Sequence, residues 1–292
     1  MKNNKFVSLV LIPGFAMLFI FVVIPVIYGL TISFFDYNPA RDQNIFLGFE
    51  NYIKLFHDPV FKKATVNTLI FGIVAVFLNI VITLFLAQII SSLPWEKWRI
   101  LFRTLLFIPC IAPAVGTALI WKTGIIEPDG GLLNNIMGLL GLSPKNWLMS
   151  PHALFIIIII YTLWADIGYN IILFSAGLEN VPAEIEEAAA IDGANAVQRF
   201  FMVKVPLIGR TFAFVAVMTM ANYFQMFAQF QVIAPNGGYD NSAMVLTNYI
   251  YRQSFTNYDM GYASAIAMAL FLIVFSVAMV QNRMMRADWS YE

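Results

Sequence analysis

Polar side chains able to hydrogen-bond a hydroxyl-rich molecule occur in two otherwise apolar stretches of the sequence. In the later stretch, Asn222, Gln225 and Gln229 recur at i, i+3 and i+7, a spacing that puts them on one face of a helix. Tyr223 and Phe227 lie between them. Amides that bond hydroxyl groups, beside aromatic rings that stack on sugar faces, suit a neutral polyol. The pattern predicts a ligand path, and hydrogen bonding that only joins helices is the alternative.

The earlier stretch carries an acid. Asp166 lies near its middle, with Trp164 two residues before it and Asn170 one helical turn after it. A charged side chain at bilayer depth is costly and usually faces a cavity or another helix. We predict that these three side chains line the same path, and helix packing is again the alternative.

The composition requires an environment other than water. Hydrophobic residues make up 60% of the chain and charged residues 12%, with a mean hydropathy of +0.75. Soluble domains carry about 25% charged residues. The surplus apolar surface therefore faces lipid, and the formal net charge of zero argues against nucleic acid as a partner.

Apolar blocks long enough to cross a bilayer, roughly 20 residues, occur six times. We predict an all-α, polytopic membrane protein that forms one transmembrane domain over residues 1–292. The first block is too long for the apolar core of a cleaved signal peptide, so we expect it to be retained. The predicted helices cover 6–34, 68–90, 104–126, 153–178, 211–232 and 261–280.

Lysine and arginine in the flanks predict the orientation. With the N-terminus inside, the inner segments hold ten such residues and the outer segments seven. The first helix agrees, because Lys2 and Lys5 precede it and Asp36 follows it. We expect both termini in the cytoplasm.

The longest inner segment, 179–210, carries the signals of two helices and a turn. Pro182 suits a first helical position, and acids follow it where the helix dipole favours them. Asp192-Gly193 marks a turn. We predict a rigid helix–turn–helix that passes a push to both neighbouring membrane helices; a solvated connecting loop is the alternative.

The second of these helices has its own boundaries. Asn195 followed by Gln198 matches a capping box, and Pro206 is expected to end the helix.

Motifs of catalysis and nucleotide binding are missing from the sequence. It contains no G-x4-G-K-[S/T], G-x-S-x-G or H-E-x-x-H, and its two histidines and one cysteine have no metal-ligand spacing. We expect no enzymatic activity, no metal site and no bound ATP on this chain. The energy for moving a ligand along the predicted path must then come from another subunit.

The 179–210 segment resembles a known coupling loop. Glu187-Ala188-Ala189, three residues, Gly193, nine residues and then Val203-Lys204-Val205-Pro206 match E-A-A-x3-G-x9-I-x-L-P of ABC importer permeases, with valine twice replacing the larger aliphatics. The resemblance implies that the loop docks on a cytoplasmic ATPase subunit and transmits ATP-driven closure. The coupling residues that it implies are Glu187, Ala188, Ala189, Asp192, Gly193 and Pro206.

Further segments, in order along the chain, resemble the carbohydrate-uptake (maltose-type) branch. Gly48–Tyr52 is similar to its G-x-x-N-Y segment. Tyr249–Arg252, Phe255 and Met260–Ala265 are similar to its Y-x-Y…F…G-Y-A-x-A signature. The tail Met284–Glu292 lacks the ending of the second-type subunit, which favours the first type.

This resemblance implies a permease subunit in a bacterial or archaeal plasma membrane. Its implied cargo is a sugar, a di- or oligosaccharide, delivered by an extracytoplasmic binding protein. The implied partners are a second permease, in a heterodimer, and two ATPase subunits. A homodimeric permease would have the same sequence features, so it stays an alternative. Those ATPases bind the ATP and Mg, and this chain binds no cofactor.

Three alternatives stay open. The same fold imports another neutral solute or a polyol phosphate, although no Lys or Arg lies centrally in any block to pair with a phosphate. An ion-coupled secondary transporter would use Asp166 as a proton relay. A membrane scaffold without transport would leave the polar residues unexplained.

Overall fold

The computed structural model describes residues 4–41 and 43–285. Lys2 and residues 286–292, which entered the predictions of orientation and subunit type, lie outside the described residues. The predicted helical membrane fold is confirmed. It also contains one short antiparallel hairpin that was not predicted, formed by β1 (Phe35–Asn38) and β2 (Gln43–Phe46).

Helices account for most of the described chain, and four π-helical turns interrupt or extend them. The turns are Phe19–Val23, Trp121–Ile125, Arg199–Lys204 and Arg252–Thr256, and short 3-10 turns cover Pro235–Gly237 and Tyr239–Asn241. The helices are α1 (Asn4–Leu18), α2 (Ile24–Ile32), α3 (Glu50–His57), α4 (Pro59–Ser91), α5 (Glu96–Ile111), α6 (Ala114–Ile120), α7 (Leu132–Leu139), α8 (Pro151–Glu179), α9 (Ala183–Ile191), α10 (Ala196–Gln198), α11 (Val205–Leu207), α12 (Gly209–Phe224), α13 (Ala228–Ile233), α14 (Leu246–Tyr251) and α15 (Met260–Met285).

Membrane spans agree with the six predicted blocks. Within the described residues, five stretches are long and apolar enough to cross a bilayer, and a bent helix pair brings the number to six. In chain order they are Leu11–Ile32, Pro59–Ser91, the pair Glu96–Ile111 with Ala114–Ile125, Pro151–Glu179, Gly209–Ile233 and Met260–Gln281.

The third span is bent by 94° between α5 and α6. Ala112, which precedes Pro113, leaves the helical region with ψ at 142°. The ring of a proline disfavours the helical conformation of the residue before it, so the bend falls where the sequence places Pro113. The single helix predicted over 104–126 is therefore two helices at a sharp angle.

The fifth span is broken as well, without a proline or glycine at the break. Helix α12 ends at Phe224, and Gln225 and Phe227 leave helical geometry with φ at −105° and −128°. Helix α13 then begins at Ala228. The single helical face predicted for Asn222, Gln225 and Gln229 is not formed, because Gln229 belongs to a different helix from Asn222.

The chain divides into two compact units. One holds the described residues up to Lys62 together with Leu246–Leu272, and the other holds Lys63–Val245 with the end of α15. In the larger unit, a buried apolar cluster surrounds Phe71, Tyr161 and Phe230, with the rings of Phe71 and Phe230 4.8 Å apart. A second cluster around Phe174 and Phe200 lies under the 179–210 loop.

In the smaller unit, the G-x-x-N-Y segment fastens α3 to the hairpin. The buried Asn51 amide donates to the carbonyl oxygens of Ser33 (2.9 Å) and Phe35 (3.0 Å). The Tyr52 hydroxyl lies 2.6 Å from the Ser33 hydroxyl. The asparagine thus pairs carbonyl oxygens just before and at the start of the hairpin, which is a structural explanation for the segment.

Asp58 ties the start of α4 to α14 and α15 in the same unit. One carboxylate oxygen accepts the amide N–H groups of Val60 (2.8 Å) and Phe61 (3.2 Å), which caps α4. The other oxygen accepts the hydroxyls of Tyr249 and Tyr262, the latter at 2.6 Å. Burial favours a higher pKa for Asp58, but these four hydrogen bonds together outweigh it and hold the pKa below its usual value.

Candidate functional site

A cavity of about 250 Å³ lies among α5, α8 and α12 in the larger unit. It brings together Asp166 and Asn170 from α8 with Asn222 and Tyr223 from α12, all four of them predicted path residues. The complete lining is Phe107, Cys110, Asp166, Tyr169, Asn170, Met218, Thr219, Asn222 and Tyr223. Polar groups thus converge inside the membrane-spanning part of the chain.

Asp166 is the one charged group in this lining. Among the residues that the structure describes, it has no hydrogen-bond or ion-pair partner, and no lysine or arginine lines the cavity. A carboxyl group without a partner at this depth is costly. Its lone pairs are left available to a molecule that enters the cavity.

A buried chain of hydrogen bonds forms the wall behind the cavity. The Asn170 amide donates to Asn79 Oδ1 (2.6 Å) and to the Thr219 hydroxyl (2.8 Å). The Asn79 amide donates to the Tyr223 hydroxyl (2.7 Å). These side chains join α4, α8 and α12, so Asn170 and Tyr223 hold the wall as well as line it.

Asn79 is the member of this network that the sequence analysis missed. It is fully buried in α4 and lies in the middle of an apolar block. An isolated asparagine inside a membrane span was the available signal, because such a side chain normally needs a partner on another helix.

The other predicted path residues of the fifth span lie outside this cavity. Gln225 is exposed and donates to the Ala221 carbonyl oxygen at 3.0 Å. Phe227 lies in the break between α12 and α13, and Gln229 is 8% exposed within α13. The break in the helix separates them from Asn222.

Trp164 belongs to an aromatic cluster instead. Its ring lies 5.7 Å from that of Trp121 and 6.2 Å from that of Tyr161. The Tyr161 hydroxyl in turn lies 2.8 Å from that of Thr117 on α6. Trp164 does not line the cavity, and its place on the path stays a prediction.

Helices α5 and α8 approach closely beside the cavity. A methyl group on Gly168 would come within 2.2 Å of the Leu106 carbonyl oxygen. Only a glycine permits this approach, which brings Phe107 and Cys110 of α5 against Asp166 and Tyr169 of α8.

The 179–210 loop has the predicted helix, turn and second helix. Gly193 turns the chain after α9 with φ at +88°. The capping box is present, since the Gln198 N–H donates to Asn195 Oδ1 and the Asn195 N–H donates to Gln198 Oε1, both at 2.9 Å. The second arm runs through α10, the π-helical turn Arg199–Lys204 and α11.

Pro182 and Pro206 lie close to the helix limits predicted for them, but not at those limits. Pro182 is extended, with ψ at 132°, and precedes the first helical residue Ala183. Pro206 lies inside α11, and the chain leaves helical geometry only at Ile208. The π-helical turn Arg199–Lys204 continues into α11 without a break, since Lys204 and Val205 both keep helical geometry, so Pro206 does not end the arm as predicted.

Most of the implied coupling residues are exposed on the surface of the chain. Glu187, Ala188, Asp192, Gly193 and Pro206 are exposed, whereas Ala189 is half-buried. Ile191, which the motif does not include, is 86% exposed at the end of α9.

The two arms of the loop are joined by an ion pair. Lys204 Nζ on the second arm lies 2.8 Å from the Glu186 carboxylate on α9. Both side chains are largely buried, with 16% and 28% of their surface exposed. The loop is therefore a fixed two-arm element. The described residues contain no group of three His, Cys, Asp or Glu side chains that could hold a metal ion.

Comparison with known proteins identifies the family. The probable ABC transporter permease protein YurN of Bacillus subtilis is 32% identical over 286 residues, which is 97% of each chain. This chain belongs to the ABC transporter permeases. No protein-family model matches it.

Other relatives of this ABC transporter permease have named cargoes. The arabinooligosaccharides transport system permease AraP of Halalkalibacterium halodurans is 31% identical, covering 96% of this chain and 88% of that protein. The sn-glycerol-3-phosphate transport system permease UgpA of Yersinia pestis is also 31% identical, covering 97% and 95%. As a member of this family, the chain is a multi-pass transport subunit and not an enzyme.

A solved structure shares the fold of this permease. It is a bacterial ABC transporter involved in the import of the acidic polysaccharide alginate. The two chains superpose with a TM-score of 0.84 at 22% identity, over 98% of this chain and 96% of the other. Family membership replaces the secondary-transporter and scaffold alternatives.

Proposed function

We propose that this ABC transporter permease imports a neutral di- or oligosaccharide through the cavity between α5, α8 and α12. The observation that carries the proposal is the composition of the lining. It offers the Asp166 carboxyl and the Asn222 amide, with no lysine or arginine beside them among the described residues. Such groups bond hydroxyls and give no counter-charge to an anion.

Cargo contact falls first on Asp166 and Asn222. Asp166 has no hydrogen-bond or ion-pair partner within residues 4–41 and 43–285, and Asn222 is exposed at the cavity. Asn170 and Tyr223 line the cavity, while the Asn170 amide nitrogen and the Tyr223 hydroxyl are bonded within its wall. We keep Trp164, Gln225, Phe227 and Gln229 as proposed residues of the path beyond this cavity.

The proposed coupling surface is the exposed part of the 179–210 loop. Glu187, Ala188, Ala189, Asp192 and Gly193 lie on and after α9, and Pro206 lies on the second arm. Small side chains on α9 let a partner groove approach the backbone closely. Ile191 adds a large exposed apolar contact at the tip of that helix.

The proposed assembly has four further proteins around this chain. A second permease completes the pore, two cytoplasmic ATPase subunits bind ATP and Mg, and an extracytoplasmic binding protein delivers the sugar. We place the chain in a bacterial or archaeal plasma membrane, surrounded by lipid, with both termini in the cytoplasm. Its two compact units then act as one transmembrane permease domain.

A polyol phosphate is the second candidate cargo, because UgpA is named for sn-glycerol 3-phosphate. The lining argues against it here. A phosphate ester carries negative charge that a path normally meets with Lys or Arg. Asp166 would repel that charge.

The cargo proposal is tested with the cognate binding protein and a ligand panel. Thermal shift is measured against arabinotriose, maltotriose, lactose and sn-glycerol 3-phosphate. Stabilisation by a neutral sugar alone supports the proposal, and stabilisation by the phosphate ester alone overturns it. Proteoliposome uptake of the stabilising ligand then compares Asn222→Ala, at the cavity, with Gln225→Ala outside it. We expect the larger loss for Asn222→Ala.

A further inference from the structure

An ion-pair cluster beside the 179–210 loop connects the last residues of α4 and α8 to the middle of α5. Arg103 of α5 donates from Nη1 (3.4 Å) and from Nη2 to the two carboxylate oxygens of Glu179, the last residue of α8. Arg103 Nη2 also lies 3.2 Å from the hydroxyl of Ser91, the last residue of α4. Arg99 Nη1 is 3.8 Å from the same carboxylate. Arg103, midway along α5, thus bonds the last residues of both α4 and α8.

The position of Glu179 is electrostatically unfavourable without these arginines. A negative charge at the carboxyl end of a helix opposes the helix dipole. The guanidinium groups of Arg99 and Arg103 compensate this charge. The bidentate contact between Arg103 and the carboxylate fixes orientation as well as distance. The contact is partly shielded, since 22% of the Arg103 and 38% of the Glu179 side chain is exposed.

This cluster lies between the loop and the cavity. On the loop side, three residues separate Glu179 from α9, and the Lys204–Glu186 pair holds α9 to the second arm. On the cavity side, α5 and α8 touch at Gly168 and then present opposite parts of the lining. A push on α9 therefore reaches α8 directly, but it reaches α5 through Arg103 and the packing above it.

We propose that Arg103 and Glu179 form the joint that makes α5 move with α8 during ATP-driven transport. The inference rests on the proposed function, because it assumes that ATPase subunits push the loop. Both residues are positioning residues: neither lines the cavity. The joint keeps the cavity lining intact while the helices move, so the site opens and closes as a unit.

The test uses the complete transporter and measures one distance. Leu105 on α5 and Ile172 on α8 are exposed and are each replaced by p-acetylphenylalanine, which takes a spin label and leaves Cys110 unchanged. Pulsed electron resonance gives the distance without nucleotide and after trapping with Mg·ATP and vanadate. ATP hydrolysis is measured on the same samples.

With Arg103 intact, we expect the two states to give the same distance. With Arg103→Ala, we expect continued ATP hydrolysis and a second distance displaced by about 2 Å or more in the trapped state, the scale of helix shifts between packed helices. The charge exchange Arg103→Glu with Glu179→Arg should restore the single distance. If Arg103→Ala does not assemble, Arg103→Lys, which cannot hold both oxygens in the same way, takes its place.

An unchanged distance in the Arg103 variant overturns the proposal. So does a displaced distance that the charge exchange fails to correct, or the same displacement in Asp240→Ala. The last variant is the matched control, because it breaks the exposed Lys63–Asp240 pair (2.7 Å) elsewhere in the same unit. Failure of the proposed function looks different: the unsubstituted chain then assembles with no ATPase subunit and yields no trapped state.

Discussion

Asn170 has a double position in this permease. It lines the cavity, and its amide nitrogen donates to Asn79 Oδ1 and to the Thr219 hydroxyl. In lipid, a polar side chain that loses its partner has no water to replace it. Asn170 is thus better suited to hold the wall than to bind cargo. Its substitution should mainly lower the free energy of unfolding.

We predict that Asn170→Ala lowers the free energy of unfolding by about 1–2 kcal/mol, because it leaves the buried Asn79 carbonyl oxygen without its bond. Thermal unfolding in detergent measures the loss. Asn79→Ala should cost a similar amount, and the double variant less than the sum of the two. Strict additivity would contradict a shared network.

Asp58 provides a prediction that depends on pH. Its hydrogen bonds from two tyrosines and two amides favour the charged form, so the pKa is lower in the folded than in the unfolded chain. A group with a depressed folded pKa stabilises the fold above its unfolded pKa, and this contribution disappears as pH falls through the folded pKa.

We therefore predict that Asp58→Asn lowers stability at neutral pH by about 1 kcal/mol, a value that allows for partial exposure to water. The difference from the unsubstituted protein should be constant above about pH 5 and should shrink below about pH 4, near the unfolded pKa. Melting temperatures of the two proteins across this range check it. A difference in melting temperature that grows as the pH falls would show that the Asp58 pKa is not lowered in the folded protein.

At the scale of elements, the contact between α5 and α8 depends on one missing side chain. Gly168→Ala would place a methyl group 2.2 Å from the Leu106 carbonyl oxygen, which is backbone and cannot rotate away. We predict a loss of about 1–3 kcal/mol, the usual cost of overpacking. Thermal unfolding and gel-filtration homogeneity measure it.

Gly116→Ala is the matched control for that substitution. It lies in α6, and an added methyl group there meets nothing within 4 Å. We expect it to be neutral or to stabilise slightly, because alanine restricts the unfolded chain. Equal losses for both glycines would mean that helix propensity decides the result, and not the close approach.

The second arm of the 179–210 loop depends on its cap. We predict that Asn195→Ala, which removes the oxygen that accepts the Gln198 N–H, costs about 1 kcal/mol of local stability. Hydrogen exchange of the amides from 196 to 207 should become several-fold faster, while exchange in α8 stays the same. Unchanged protection in the second arm would contradict the role of the cap.

Element types and limits were largely predictable where one signal dominates. The fourth span, predicted over 153–178, occupies Pro151–Glu179, because a long apolar run and flanking polar residues fix both ends. The capping box was also predictable, because Asn195 and Gln198 are neighbours in sequence. The bend at Pro113 has a local cause, but its 94° angle depends on packing.

The fifth span shows why the site was only partly predictable. Its break at Gln225–Phe227 contains no proline or glycine, so hydrophobic periodicity alone predicts one continuous helix. Asn222 lines a cavity and its role in the path stays a prediction, whereas Gln225 and Gln229 were assigned to a helical face that is not formed. The partners of Asn79 could not be read from one sequence, because they lie 91 and 144 residues away.

For the whole molecule, the family and the helical membrane fold were predictable from the sequence, and the arrangement of the polar groups was not. The coupling motif and the span lengths are local patterns. The position of Asp166 in the cavity and the Arg103–Glu179 ion pair become visible only when helices distant in sequence are brought together. Together they describe a permease whose cavity and loop are joined by α5 and α8.

We propose that this permease carries a neutral di- or oligosaccharide with energy from separate ATPase subunits. The most direct measurement is uptake of the labelled sugar that binds the cognate binding protein, into proteoliposomes that hold the complete transporter. We predict uptake only with Mg·ATP and the binding protein, and its loss with Ala188→Trp, which blocks the close approach to α9. Uptake by the permeases alone, without ATPase subunits, would contradict the account.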